Sequence, residues 1–233
     1  MLYPMPKKIQ LQPSQAKWQI AAGQSVLLLV GLHELRQQDN QQHELLLNLR
    51  ALVKKAKALD IVMLDIYGDD VMQGMQRLGE LLSQYPQLMI AGQITPMLKQ
   101  ILPHLYSVTE QICLIEDAIL LSNQEQHIQW LDSLTAQGFQ HINSYSLKRL
   151  WSLSAPSEQI LSPKGILLAI AEQLELDALE IDPTEDLRTY GLDSVAIVSL
   201  IGLWRANGAE IVYEDFHEHN SLQALMQFLL NSR

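Results

Sequence analysis

Between Ser25 and Trp151, short apolar runs alternate with longer segments whose apolar residues recur at helical spacing. Few folds accept such a pattern. The runs 25–31, 60–67, 87–92, 111–117 and 139–143 read as strands, and Val26 to Val30 within the first is continuously apolar, as a strand buried on both faces requires. The intervening segments 40–59, 71–82, 95–105, 125–136 and 146–151 read as helices. Leu45, Leu46, Leu49, Leu52, Val53 and Ala56 give the first of these an apolar side, Pro103 disturbs the end of the third, and Gly138 follows the fourth as a C-cap. Strands alternating with helices imply a parallel sheet with helices on both faces, an α/β class domain over residues 1–152.

The pattern then changes. Residues 152–159 (SLSAPSEQ) have no strong period and suit an exposed linker, set at 153–160. A second domain, 161–233, is expected to be small and all-α. Pro163 opens its first helix, which carries Ile166, Leu167, Ile170, Ala171 and Leu174. A loop leads to Tyr190. The segment 194–206 is a second helix with Val195, Val198, Leu200, Ile201 and Trp204 on its apolar side, ended by Gly208. The stretch 210–213 has the only strand-like pattern, 214–217 forms a single turn, and Ser221 caps a last helix bearing Leu222, Leu225, Phe228 and Leu229.

The most informative stretch lies in this second part: Asp186-Leu187-Arg188-Thr189-Tyr190-Gly191-Leu192-Asp193-Ser194-Val195. Gly191 permits a tight turn, after which Asp193 and Ser194 open a helix. A hydroxyl there sits beside unpaired N–H groups and the positive end of the helix dipole. The same donors would stabilise a phosphodiester attached to it, which makes Ser194 a suitable anchor for a phosphorylated arm. An isolated Asp-Ser is more often a plain helix cap. The setting points the other way, because the motif sits in a separate small domain with helices on either side. Charge agrees: residues 159–233 hold four bases and twelve acids, net −8, of the chain's −10. Such a module repels nucleic acid and anionic lipid and steers towards basic protein surfaces.

Leu161 to Leu230 resembles the acyl, peptidyl and aryl carrier proteins, whose attachment signature matches Asp186-Leu187 followed by Tyr190-Gly191-Leu192-Asp193-Ser194. The resemblance implies a four-helix bundle and a phosphopantetheine arm on Ser194, with Gly191, Leu192 and Asp193 around it. Ser194-Val195, Leu203-Trp204-Arg205 and Ile211 look like the aryl carrier domain fused to isochorismatase in catechol siderophore synthesis. In that family the second and short third helices meet partner enzymes, which marks Val198, Tyr213 and His217 here. The implied partners are a phosphopantetheinyl transferase, an aryl-acid adenylating enzyme and a condensation or cyclisation domain of a nonribosomal peptide synthetase. The cargo would be an aryl acid of the dihydroxybenzoate or salicylate type.

The first domain is similar to isochorismatase in its extended segment from Pro4 to Trp18, in Ile90-Ala91-Gly92 and in Ile115-Glu116-Asp117-Ala118. Its catalytic positions depart from that pattern. The family's aspartate at the end of the first strand aligns with Gly31, and Glu34 stands a turn further on. The segment carrying the family's lysine is missing between Tyr67 and Gln87, and the third position falls near Lys99. A degenerate scaffold without catalytic residues is the expectation, with a possible role in homo-oligomer formation. An active isochorismatase-type hydrolase is the alternative.

Other chemistry finds little support. Asp65, Asp69 and Asp70 near the second strand read as a solvated acidic loop. The seven histidines have no metal-ligand spacing with Cys113, which reads as a packed residue. Met72 and Met75 read as core. One cysteine fits a reducing cytoplasm, and neither a signal peptide nor a membrane span is expected.

Overall fold

The computed structural model describes residues 2–6, 17–32, 35, 42–66 and 71–231. The chain divides into two compact units, Met1–Ser154 and Ala155–Arg233. The first holds five strands in one parallel sheet: β1 (Ser25–Val30), β2 (Val62–Ile66), β3 (Gln87–Gln93), β4 (Ile112–Leu120) and β5 (Gln140–Ile142). Their spatial order is β2-β1-β3-β4-β5, with every neighbouring pair parallel. All six residues of β1 are buried, as its uninterrupted apolar run demands.

The helices of this unit are α1 (Glu44–Ala58), α2 (Val71–Leu82), α3 (Pro96–Val108), α4 (Gln124–Ala136) and α5 (Ser144–Ser154). Leu78, Leu82, Leu98, Leu102, Leu105, Leu131 and Leu134, from α2, α3 and α4, join Val26, Leu28, Leu88, Ile90 and Leu114 in one core. These strand positions alternate, so they share one face. α1 and α5 pack on β4 and on each other.

Several boundaries differ from the sequence expectation for physical reasons. α3 runs through Pro103 to Val108. A proline within a helix forgoes one hydrogen bond, and burial of Leu102 and Leu105 on either side offsets that loss. β4 continues past Asp117 to Leu120 because its register with β3 shifts between Ile90 and Gly92, an irregularity that lets pairing resume at Ile119. Glu116 and Asp117 fall in this irregular stretch and are only half-buried. Asp117 instead accepts hydrogen bonds from Ser144 N and Oγ, both 2.7 Å, and so fixes the start of α5. Gly92 has φ +102°, and a Cβ there would lie 2.2 Å from the Val30 carbonyl oxygen. Only glycine allows this approach of β3 to β1, which gives Ile90-Ala91-Gly92 a structural reason.

The expected linker 153–160 is largely helical. α5 extends to Ser154, and α6 (Ser157–Ile160) follows with Ile160 buried. The second unit continues with α7 (Pro163–Gln173), α8 (Ser194–Ala206), α9 (Asp215–Glu218) and α10 (Leu222–Asn231). Ser162 Oγ accepts from Gly165 N at 2.9 Å and Ser221 Oγ from Ala224 N at 3.3 Å, capping α7 and α10. Trp204 and Phe216 stack face to face, rings 5.9 Å apart, and tie α8 to α9. The stretch 210–213 is not a strand; it lacks regular structure, and Ile211 alone is buried in it. No described helix is long and apolar enough to cross a membrane.

Candidate functional site

Ser194 is the first residue of α8, and its side chain is exposed. Asp193 is the N-cap: its Oδ1 accepts from Ala196 N at 2.8 Å and its carbonyl from Ile197 N at 3.0 Å. Such a cap contributes about 1 kcal/mol. Leu192 is buried and anchors the turn from beneath. Gly191 ends the preceding 3-10 turn (Leu187–Tyr190) with φ +94°, and its N–H bonds to Arg188 O. A Cβ on Gly191 would meet nothing within 4 Å, so backbone conformation rather than space calls for glycine.

Among the described residues, neither the Ser194 hydroxyl nor the N–H groups of Ser194 and Val195 have a protein partner. The site therefore offers an exposed nucleophilic oxygen beside two free donors at the positive end of a thirteen-residue helix. These residues fit a phosphodiester: nothing covers the oxygen, and the donors are of the sign a phosphate needs.

The surface around the site differs from the expected pattern. Val195 and Val198 do not belong to the apolar side of α8; they are 75% and 60% exposed. Ile197, Leu200, Ile201 and Trp204 form its buried stripe, so both valines turn outward. Val212 and Tyr213 are exposed as well. Tyr213 packs edge-on against His217, rings 5.7 Å apart, and Arg188 Nη2 lies 3.1 Å from His217 Nδ1. Guanidinium only donates, so His217 Nδ1 accepts in this contact. Sequence reasoning missed this tie and a second one, in which Asn220 Nδ2 donates to Asp186 Oδ2 at 2.8 Å. Hydrogen bonds between side chains some thirty positions apart leave no local pattern to read.

In the first unit the singled-out residues that are described lie on several different elements. Gly31, at the end of β1, has φ +63°, and its N–H bonds to Ile66 O. Glu34, Asp69, Asp70, His33 and most of the segment 4–18 lie outside the described residues. Lys99 is exposed on α3, its Nζ 5.7 Å from the centre of the Trp130 ring. Asp65 is exposed on edge strand β2, and Met75 packs against the core. Cys113 is fully buried, and burial pushes its thiol far above the usual range, which leaves it inert. His43 caps α1, His141 pairs with Glu116 at 2.9 Å, and His219 stacks on Phe228. No group of three potential metal ligands occurs among the described residues.

His127 is an unforeseen feature. It is fully buried on α4, and its Nδ1 lies 2.9 Å from Tyr3 Oη. Tyr3 Oη also accepts from Leu121 N at 3.0 Å, so its own proton is directed to the imidazole. Burial pushes the His127 pKa down to about 4, against an opposing effect of the neighbouring Glu116.

Residues 164–229 match the family model for the phosphopantetheine attachment site. The chain is also similar to an isochorismatase of Bacillus subtilis (strain 168), 31% identical over 78 residues. That match covers 34% of this chain and spans about a quarter of the relative's length, 25%. The second unit is thus a phosphopantetheine carrier domain. A carrier domain works with a phosphopantetheinyl transferase and with synthetase enzymes.

Proposed function

We propose that the chain carries its arm on Ser194 and uses it to hold an aryl acid, of the dihydroxybenzoate or salicylate type, for nonribosomal synthesis of a catechol siderophore. One observation carries the position of the arm: Ser194 combines an exposed hydroxyl with two N–H donors at the start of α8, none of them bonded to a protein partner among the described residues. When bound, the phosphopantetheine supplies a long arm ending in a thiol, on which an acyl group is held as a thioester. Attachment forms a bond from Ser194 Oγ to phosphorus and breaks the pyrophosphate of coenzyme A. Adenosine 3′,5′-bisphosphate leaves, and the hydroxyl proton passes to the transferase.

The chain's own residues have distinct tasks in this reading. Asp193 and Leu192 fix where α8 begins, and Gly191 turns the chain into it. The exposed Val198, Tyr213 and His217 form the face met by an adenylating enzyme and by a condensation or cyclisation domain. Acidic neighbours Glu210, Glu214 and Glu218, all exposed, favour basic partner surfaces. The arm raises the effective concentration of cargo at each partner. The first unit serves as a scaffold without catalysis of its own, and is the part through which copies of the chain would associate. Its support is the absence of a carboxylate at Gly31 and the outward, ring-stacked position of Lys99.

The cargo is tested with the arm-bearing protein, an aryl-acid adenylating enzyme, ATP and single acids, read by intact mass. Salicylate or dihydroxybenzoate should add to the wild type and to no Ser194→Ala sample. A protein that accepts aliphatic or amino acids from their own adenylating enzymes and refuses aryl acids would contradict the assignment.

A further inference from the structure

The loop that precedes Ser194 is held by residues far along the chain. Asp186 Oδ1 accepts from Arg188 N at 2.9 Å, and its Oδ2 accepts from Asn220 Nδ2 at 2.8 Å. The Asp186 carbonyl accepts from Thr189 N at 3.0 Å and from Thr189 Oγ1 at 2.7 Å. Leu187 N donates to Asn220 O at 2.9 Å, and Asp186 bridges to Ser221 in antiparallel fashion. One carboxylate thus serves two purposes: it shapes the 3-10 turn that leads to Gly191, and it fastens that turn to Asn220, two residues before α10 begins. Leu187 is buried at the base of the turn.

We propose that Asp186 and Asn220 are a positioning pair, which sets the Ser194 hydroxyl in the geometry that the phosphopantetheinyl transferase engages. The inference rests on Ser194 being the attachment point. It assigns a role to Asn220, which lies outside the attachment motif by sequence, and it makes arm transfer depend on the segment between α9 and α10. Neither residue touches the reacting atoms; both act through the turn.

The pair can be inverted. In Asn220→Asp two carboxylates face each other and the hydrogen bond is lost. In the double variant Asp186→Asn with Asn220→Asp the amide donor moves to the other side, and the bond re-forms in the opposite direction. The oxygen that accepts from Arg188 N is kept, and the Leu187 N to residue 220 carbonyl bond is untouched. The test uses the full chain, coenzyme A and a broad-specificity transferase, with initial rates over a range of carrier concentrations. Losing one such hydrogen bond should raise the KM for the carrier about fivefold in Asn220→Asp, with a smaller effect on kcat. The double variant should return towards wild type. Amide exchange over residues 186–195 should quicken in Asn220→Asp and slow again in the double variant, at temperatures where circular dichroism shows all forms folded. Wild-type KM and exchange in Asn220→Asp, or no recovery in the double variant, would overturn the proposal. A wild type that takes up no arm at all would instead overturn the attachment reading on which it rests.

Discussion

His127 and Ser194 are two polar side chains near helix starts with opposite surroundings. Ser194 is exposed and has no hydrogen-bond partner among the described residues, which leaves it available. His127 is sealed in the first unit and held neutral against Tyr3. The His127 pKa falls from 6.5 to about 4 on folding, chiefly through burial. A depressed folded-state value means the unfolded chain takes up the proton first, so stability present above pH 6.5 is lost as pH falls towards 4. The loss is at most about 3 kcal/mol. Asp117, raised by burial, pulls the other way at the acid end of this window. Urea titrations between pH 7 and pH 4 should therefore show a steeper decline for wild type than for His127→Gln. Equal slopes would show that His127 is not held neutral by the fold.

The helices show what a sequence can and cannot disclose. In α8 the apolar residues were plain, but which of them face inward was not. Ser194-Val195-Ala196-Ile197-Val198 offers apolar residues on nearly every side, and the buried stripe is settled by where Asp193 caps the helix and by the Trp204–Phe216 stack. Val198→Ser should accordingly leave thermal stability within about 0.5 kcal/mol of wild type, and Leu200→Ala should cost about 2–5 kcal/mol. On the proposed partner face, Val198→Ser should also weaken acyl loading by an adenylating enzyme. If Val198→Ser melts like Leu200→Ala, the assigned faces of α8 are reversed. The same reasoning explains α3 and β4. Pro103 and Asp117 are local stop signals, and long-range burial of Leu102 and Leu105, and the shifted pairing with β3, override them. The strand–helix alternation and the Gly191–Ser194 turn were legible because each is written in neighbouring residues. The ties of Asp186 to Asn220, Arg188 to His217 and Tyr3 to His127 were not, since each joins residues far apart in the chain.

At the scale of the molecule, negative charge is concentrated in one unit. The last 75 residues hold most of the net negative charge and the exposed Ser194, and no group of three potential metal ligands occurs among the described residues. Incubation of the full chain with isochorismate should give hydrolysis no faster than buffer. Turnover abolished by a substitution in the first unit would instead favour a bifunctional enzyme. The central claim concerns Ser194, and intact mass tests it most directly. The full chain and Ser194→Ala are each incubated with coenzyme A and a broad-specificity phosphopantetheinyl transferase. The wild type should gain the mass of one phosphopantetheine arm and the variant none. A folded wild type that gains nothing, or a variant that gains the same mass, would contradict the account.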